Sequence, residues 1–238
     1  MKKRIWELDA LRGLCILGML LVHFVYDLVE LTGIIQWEYP AGFLLIKDWG
    51  GILFLLISGI CVTLGSRSIR RGLIVFGCGM VITAATIGMW KLGMAEADIV
   101  IWFGVLHCLG VCMLLWPLFK KLPIRALVLA GILMIAAGLW LTGRPVVNVP
   151  WLVPLGIEFP GFTSSDYFPL LPDLGFFLMG AVLGRTLYKQ KTSLFPQVNE
   201  KNPVIGFLSL CGRYSLHIYL LHQPLLYGLT QILTLIKK

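Results

Sequence analysis

Four ionisable side chains interrupt one of the most apolar stretches of the chain, LDALRGLCILGMLLVHFVYDL: Asp9, Arg12, His23 and Asp27. On a helix of 3.6 residues per turn a separation of eleven is about three turns, so Arg12 and His23 share a face. Asp9 joins Arg12 at a spacing of three, and Asp27 joins His23 at a spacing of four. Lipid penalises charge, so a stripe of this kind must face the protein interior or a water-filled cavity. A histidine in a protected cavity, with a carboxylate one turn away to orient it, suits general-base work on a hydroxyl or amine. It equally suits transient acceptance of an acyl group, and the same stripe would serve a proton-coupled transporter. Arg12, at the foot of the stripe, suits a phosphate arriving from the inner side, with Asp9 and Arg213 at the same boundary as further candidates for binding such a phosphorylated donor.

Other polar groups fall at comparable depth. At a rise of about 1.5 Å per residue, His23 lies roughly 12 Å from the outer end of its helix. His107 in WFGVLHCLG, Ser58 in LLISGI and Thr86 in VITAATIGMW reach similar levels in the fourth, second and third helices. His107 is a second catalytic candidate, and Ser58 and Thr86 are candidate substrate contacts; each also has a plain structural use, since membrane Ser and Thr bond their own helix backbone. In CGRYSLHIYLLHQPLL, His222 comes out too shallow to share the His23 layer and is expected to make a structural hydrogen bond near Pro224. Six cysteines sit mostly in apolar runs without paired metal-ligand spacing, so neither disulfides nor a metal is expected.

Positioning these groups falls to membrane helices. Of 238 residues, 58% are hydrophobic and 13% charged, which predicts an all-α polytopic bundle forming one transmembrane domain over residues 1–238. Apolar runs place helices near 11–31, 50–66, 72–90, 101–119, 125–142, 172–189 and 214–236, about seven spans, with PVIGFLSLCGR as an interfacial helix. Lys2, Lys3, Arg4, Arg67, Arg70, Arg71, Lys120, Lys121, Arg125, Arg185, Lys189, Lys191 and Lys201 fall on one side, predicting a cytoplasmic N-terminus. The net charge of +8 reads as this rim, in contact with lipid head groups, and gives no support to nucleic-acid binding. Residues 143–171 form a long Pro- and aromatic-rich connection on the opposite side, an outward-facing lid in which Asp166 and Tyr167 are candidate substrate contacts.

LDALRGLCILGMLLVHF, FLLISG, FGVLHCLG, SSDYFPLLPDLG and GRYSLHIYLLHQP, spread over nearly the whole chain, resemble the heparan-α-glucosaminide N-acetyltransferase catalytic-domain family in its bacterial form. More distantly the chain is similar to the acyltransferase-3 family, whose Arg–ten residues–His pair lands on Arg12 and His23. The resemblance implies an acyltransferase of the bacterial inner membrane that takes acetyl from cytoplasmic acetyl-CoA. It implies as acceptor a hydroxyl or amine of an extracytoplasmic sugar or glycolipid. The lysosomal members have more helices than are counted here, so a homo-oligomer is one way to complete the acceptor side. Their catalytic histidine lies in the loop after helix one, and LTGIIQWEYPAGFLLIKDW has no histidine. Direct transfer, with His23 as general base, Asp27 orienting it and Arg12 near the donor, is therefore expected over an acetyl-histidine route. The rival readings are a proton-coupled transporter or exporter of a small polar molecule and a non-catalytic assembly or sensor subunit.

Overall fold

A computed structural model describes residues 4–142, 148–198 and 202–237. Apolar runs punctuated by glycine, proline and charged turns give eight α-helices among them: α1 (Trp6–Tyr26), α2 (Ala41–Leu64), α3 (Ser68–Lys91), α4 (Val105–Phe119), α5 (Ile124–Leu141), α6 (Leu170–Thr186), α7 (Pro203–Arg213) and α8 (Ser215–Lys237). No strand occurs among the described residues; the nearest approach to one is a single bridge between Phe103 and Tyr167.

Among the described residues, four helices are long and apolar enough to cross a membrane: α1 with the turn that follows it, α2, α3 and α5. The α7–α8 pair, bent by 82°, makes a fifth if taken as one broken span. The expected seven spans are thus four or five by length and composition. The 15 residues of α4 reach about 23 Å, short of a hydrocarbon core of about 30 Å. It starts at Val105 rather than residue 101 because the apolar residues 101–104 are loop, and the 17 residues of α6, about 26 Å, likewise fall short. Lys2, Lys3, Lys201 and Lys238, and the opening of the long connection at 143–147 with Arg144, lie outside the described residues.

The chain divides into two compact units, one from the described residues up to Phe54 and from Lys191 onward, the other from Leu55–Gln190. In the first, α1 packs along α7 and also touches α8. Glycines set the α1–α7 distance: a Cβ on Gly13 would run into the Leu208 carbonyl, and one on Gly212 into the carbonyl of Asp9. Small residues are what allow apolar helices to approach this closely. The start of α1 is tied down by Glu7, buried, whose carboxylate accepts from Ser193 Oγ (2.9 Å) and from the backbone N–H of Leu194 (2.8 Å). An acidic group in a first turn also faces the positive end of the helix dipole.

At its other end α1 runs into a π-turn, Asp27–Leu31. The Thr32 N–H reaches five residues back to the Asp27 carbonyl (2.9 Å), and Thr32 Oγ1 donates to the same oxygen (2.9 Å). Such wide turns are frequent at functional sites, and this one begins at a fully buried carboxylate. In the second unit α3 packs on α4, α5 on α6, and α4 on α6. There Gly59 of α2 faces the Phe177 carbonyl, and Gly180 of α6 faces that of Leu56.

Candidate functional site

The α1 stripe meets a complementary stripe on α8. Ser215, His222 and Gln223 are spaced by seven and one, which puts them on one helix face. Arg12 Nη2 donates to Ser215 Oγ (2.9 Å), and its guanidinium carbon lies 6.0 Å from the centre of the Phe54 ring. The Arg12 Nε–H is buried without an acceptor. Higher up, the His23 and His222 rings stand edge to face with centroids 4.8 Å apart. Beyond them Gln223 Nε2 donates to both oxygens of Asp27, at 3.1 and 3.4 Å.

His222 therefore shares the level of His23, contrary to the depth counted from the inner end of its helix. That count took each helix alone. Ser215, the first residue of α8, sits against Arg12, and a long arginine side chain bridges a difference in level between two backbones.

The His23 ring is oriented by its own helix. Its Nδ1–H donates to the Met19 carbonyl (2.9 Å). A carbonyl can only accept, so the neutral ring carries its proton on Nδ1 and its lone pair on Nε2. Asp27 was expected to orient this ring; instead the π-turn carries its carboxylate round to Gln223, and the orienting group is Met19. At the foot of the stripe, Asp9 pairs with Arg213 and Arg4, both at 3.4 Å, rather than with Arg12. The two arginine side chains are 45% and 65% exposed, so these pairs contribute at most about 1 kcal/mol.

The remaining candidates lie in the second unit, where His107 and Thr86 belong to a different kind of network. The Gly104 N–H donates to His107 Nδ1 (3.2 Å), which leaves the ring proton on Nε2. That proton goes to Thr83 Oγ1 (3.2 Å), whose own hydrogen goes to the Ile101 carbonyl (2.6 Å). Thr86 shares its hydroxyl hydrogen between the Ile82 and Thr83 carbonyls (3.0 and 3.1 Å) and accepts from the Ile101 N–H (3.2 Å). Ser58 is buried in α2. Both His107 nitrogens are engaged and the ring is flanked by Phe76 and Phe103 (5.5 and 5.6 Å between centroids). In this geometry His107 closes the first turn of α4 and has no lone pair left for a substrate proton. His107→Ala is expected to cost about 1–3 kcal/mol through the unpaired Gly104 N–H, while the Thr83 hydroxyl keeps its bond to the Ile101 carbonyl. Thermal unfolding in detergent measures this, and the pH dependence of turnover is expected to stay as in the wild type.

The connection after α5 is a fixed cover over the start of α4. Asp166 accepts from the Val105 N–H (3.0 Å), where a carboxylate satisfies an open donor of the first turn and faces the helix dipole. Ser165 Oγ donates to Ile99 O (2.9 Å), the Phe168 N–H to Phe103 O (3.0 Å), and Tyr167 O–H to Val153 O (2.7 Å). Burial, helped by the carboxylates of Glu158 and Asp173, raises the Tyr167 phenol, so it stays protonated and keeps donating through neutral and alkaline pH. Asp166 and Tyr167, expected to meet substrate, thus meet the backbone of their own unit. Tyr167→Phe removes one of the two hydrogen bonds to the Val153 carbonyl, which keeps the Gly156 N–H (3.0 Å), at a cost of about 0.5–1.5 kcal/mol, and limited proteolysis is expected to cut the 150–169 segment faster than in the wild type.

Thr83, Ser215, Gln223 and the Met19 carbonyl were not singled out by sequence reasoning. Only the α8 pair left a usable signal, the seven- and eight-residue spacing from Ser215. Among the described residues, no three His, Cys, Asp or Glu side chains come together as metal ligands.

Comparison with known proteins identifies one family: its model, described as heparan-alpha-glucosaminide N-acetyltransferase, catalytic, matches residues 4–224. No curated protein and no solved structure matches the chain.

Proposed function

We propose, from the premise that the chain belongs to the heparan-α-glucosaminide N-acetyltransferase catalytic family, that it transfers acetyl directly from acetyl-CoA to a sugar amine or hydroxyl at the α1–α8 site. The family makes it a membrane acetyltransferase of the glucosaminide N-acetyltransferase kind, and its apolar helices make it multi-pass. The finer reading places the N-terminus and basic rim in the cytoplasm of a bacterium, acetyl-CoA entering from that face, and a sugar or glycolipid acceptor on the other.

One observation carries the mechanism: the Met19 carbonyl holds the Nδ1–H of His23 and leaves Nε2 as an acceptor at the centre of the stripe. The acceptor's nitrogen or oxygen lone pair attacks the thioester carbonyl carbon. The new C–N or C–O bond forms as the C–S bond breaks, and the proton lost by the nucleophile passes to His23 Nε2. His23 then returns that proton to the departing sulfur, giving free CoA thiol and a neutral ring. The buried Arg12 Nε–H without an acceptor fits an anionic group of the donor.

Wild-type protein in detergent, given radiolabelled acetyl-CoA and glucosamine, is expected to form N-acetylglucosamine with one free thiol per acetyl group. No consumption of acetyl-CoA, together with pH-gradient-driven solute uptake into vesicles, would support the transporter reading instead.

A further inference from the structure

Two adjacent residues of α8 each bury a hydrogen-bond acceptor that has no donor: Nε2 of His222 and Oε1 of Gln223. Neither atom is ambiguous. The His222 Nδ1–H donates to the Tyr219 carbonyl (2.5 Å), so Nε2 carries the lone pair. Gln223 presents its amide nitrogen to the Asp27 carboxylate, which can only accept, so the other end of the amide is the oxygen. A buried polar atom left unpaired costs about 1–3 kcal/mol, and native proteins leave few of them. Here the two belong to adjacent residues, and the ring of one, His222, stands 4.8 Å from the ring of His23, whose Nε2 carries another lone pair. Lone pairs of this kind can be satisfied only by hydrogen-bond donors.

We propose that His222 and Gln223 are positioning residues for the acceptor. His222 Nε2 and Gln223 Oε1 receive N–H or O–H hydrogens of the sugar group that reacts and of its neighbour, and so hold the nucleophile against His23 Nε2. Asp27 fixes the Gln223 amide in the orientation that presents its oxygen. This assignment rests on the α1–α8 acetyl-transfer reading and adds to it the residues that choose and aim the acceptor. The two histidines, each held by a carbonyl of its own helix, cannot bond to each other through Nε2, since neither Nε2 has a hydrogen to give, and their rings meet edge to face at 4.8 Å.

The test compares wild type with His222→Ala, His222→Gln and Gln223→Met, varying glucosamine at saturating acetyl-CoA and measuring acetyl-CoA binding and thermal unfolding separately. The expected result is a tenfold or greater rise in the KM for glucosamine in His222→Ala and Gln223→Met, with acetyl-CoA affinity within twofold of wild type. His222→Gln, whose side-chain oxygen can again accept, is expected to recover part of the loss, which a packing defect would not allow. Active variants whose KM for glucosamine stays within twofold of wild type would overturn the assignment and leave the α1–α8 transfer reading standing. A wild type that does not acetylate glucosamine at all would overturn both.

Discussion

His23→Ala is expected to slow acetyl transfer by about two to four orders of magnitude, the usual contribution of a positioned general base, while acetyl-CoA affinity stays within about twofold. The Asp27 carboxylate is engaged by Gln223, Asp9 is paired with Arg213 and Arg4, and Arg12 can only donate. At about 1.36 kcal/mol per tenfold in rate, the loss corresponds to about 3–5 kcal/mol of transition-state stabilisation. What remains comes from holding donor and acceptor together. His23→Gln keeps a hydrogen-bonding end but cannot take up a proton at neutral pH, so it is expected to be nearly as slow as the alanine variant. If His23→Gln instead keeps most of the activity, the ring only fills space. Initial rates with labelled acetyl-CoA, beside CoA binding and thermal unfolding of each variant, separate these outcomes.

The second large effect concerns the frame that carries the stripe. Gly13→Leu or Gly212→Leu is expected to abolish recovery of folded protein from the membrane. The obstacle to a new side chain at either position is backbone, the Leu208 carbonyl for Gly13 and the Asp9 carbonyl for Gly212, so no rotamer change relieves it. Overpacking a core that can adjust costs about 1–3 kcal/mol; here α1 and α7 would have to separate along their length. Gly206→Ala, on α7 with nothing within contact distance of an added Cβ, is expected to extract and unfold as the wild type does. Detergent extraction followed by size-exclusion chromatography reads the difference directly. Equal behaviour of Gly206→Ala and Gly212→Leu would contradict the close α1–α7 contact.

These two predictions differ in how far the sequence reveals them. The stripe of Arg12, His23 and Asp27 is legible because helical periodicity is local: eleven and four residues decide which face a side chain occupies, whatever packs against it. Its partners are not local. Ser215, His222 and Gln223 meet that face only because α7 and α8 bend by 82° and α1 packs on α7 through Gly13 and Gly212, and apolar periodicity carries no record of which helices touch. Depth counting placed His222 too shallow for the same reason. The start of α4 was misjudged because residues 101–104 are as apolar as a helix, while contacts from Asp166 and Tyr167, more than sixty residues on, hold them as loop. The roles of Asp166, Tyr167 and His107 were harder to read, since a polar residue near a membrane boundary looks the same in sequence whether it meets a substrate or its own backbone.

If acetyl passes from a donor on one face through His23 to an acceptor on the other, sealed vesicles carrying the protein, with labelled acetyl-CoA inside and glucosamine only outside, will reveal it. Labelled N-acetylglucosamine is expected in the outer solution from wild-type vesicles and essentially none from His23→Ala vesicles. Product that forms only when both substrates share one side, or equal product from the two proteins, would contradict it.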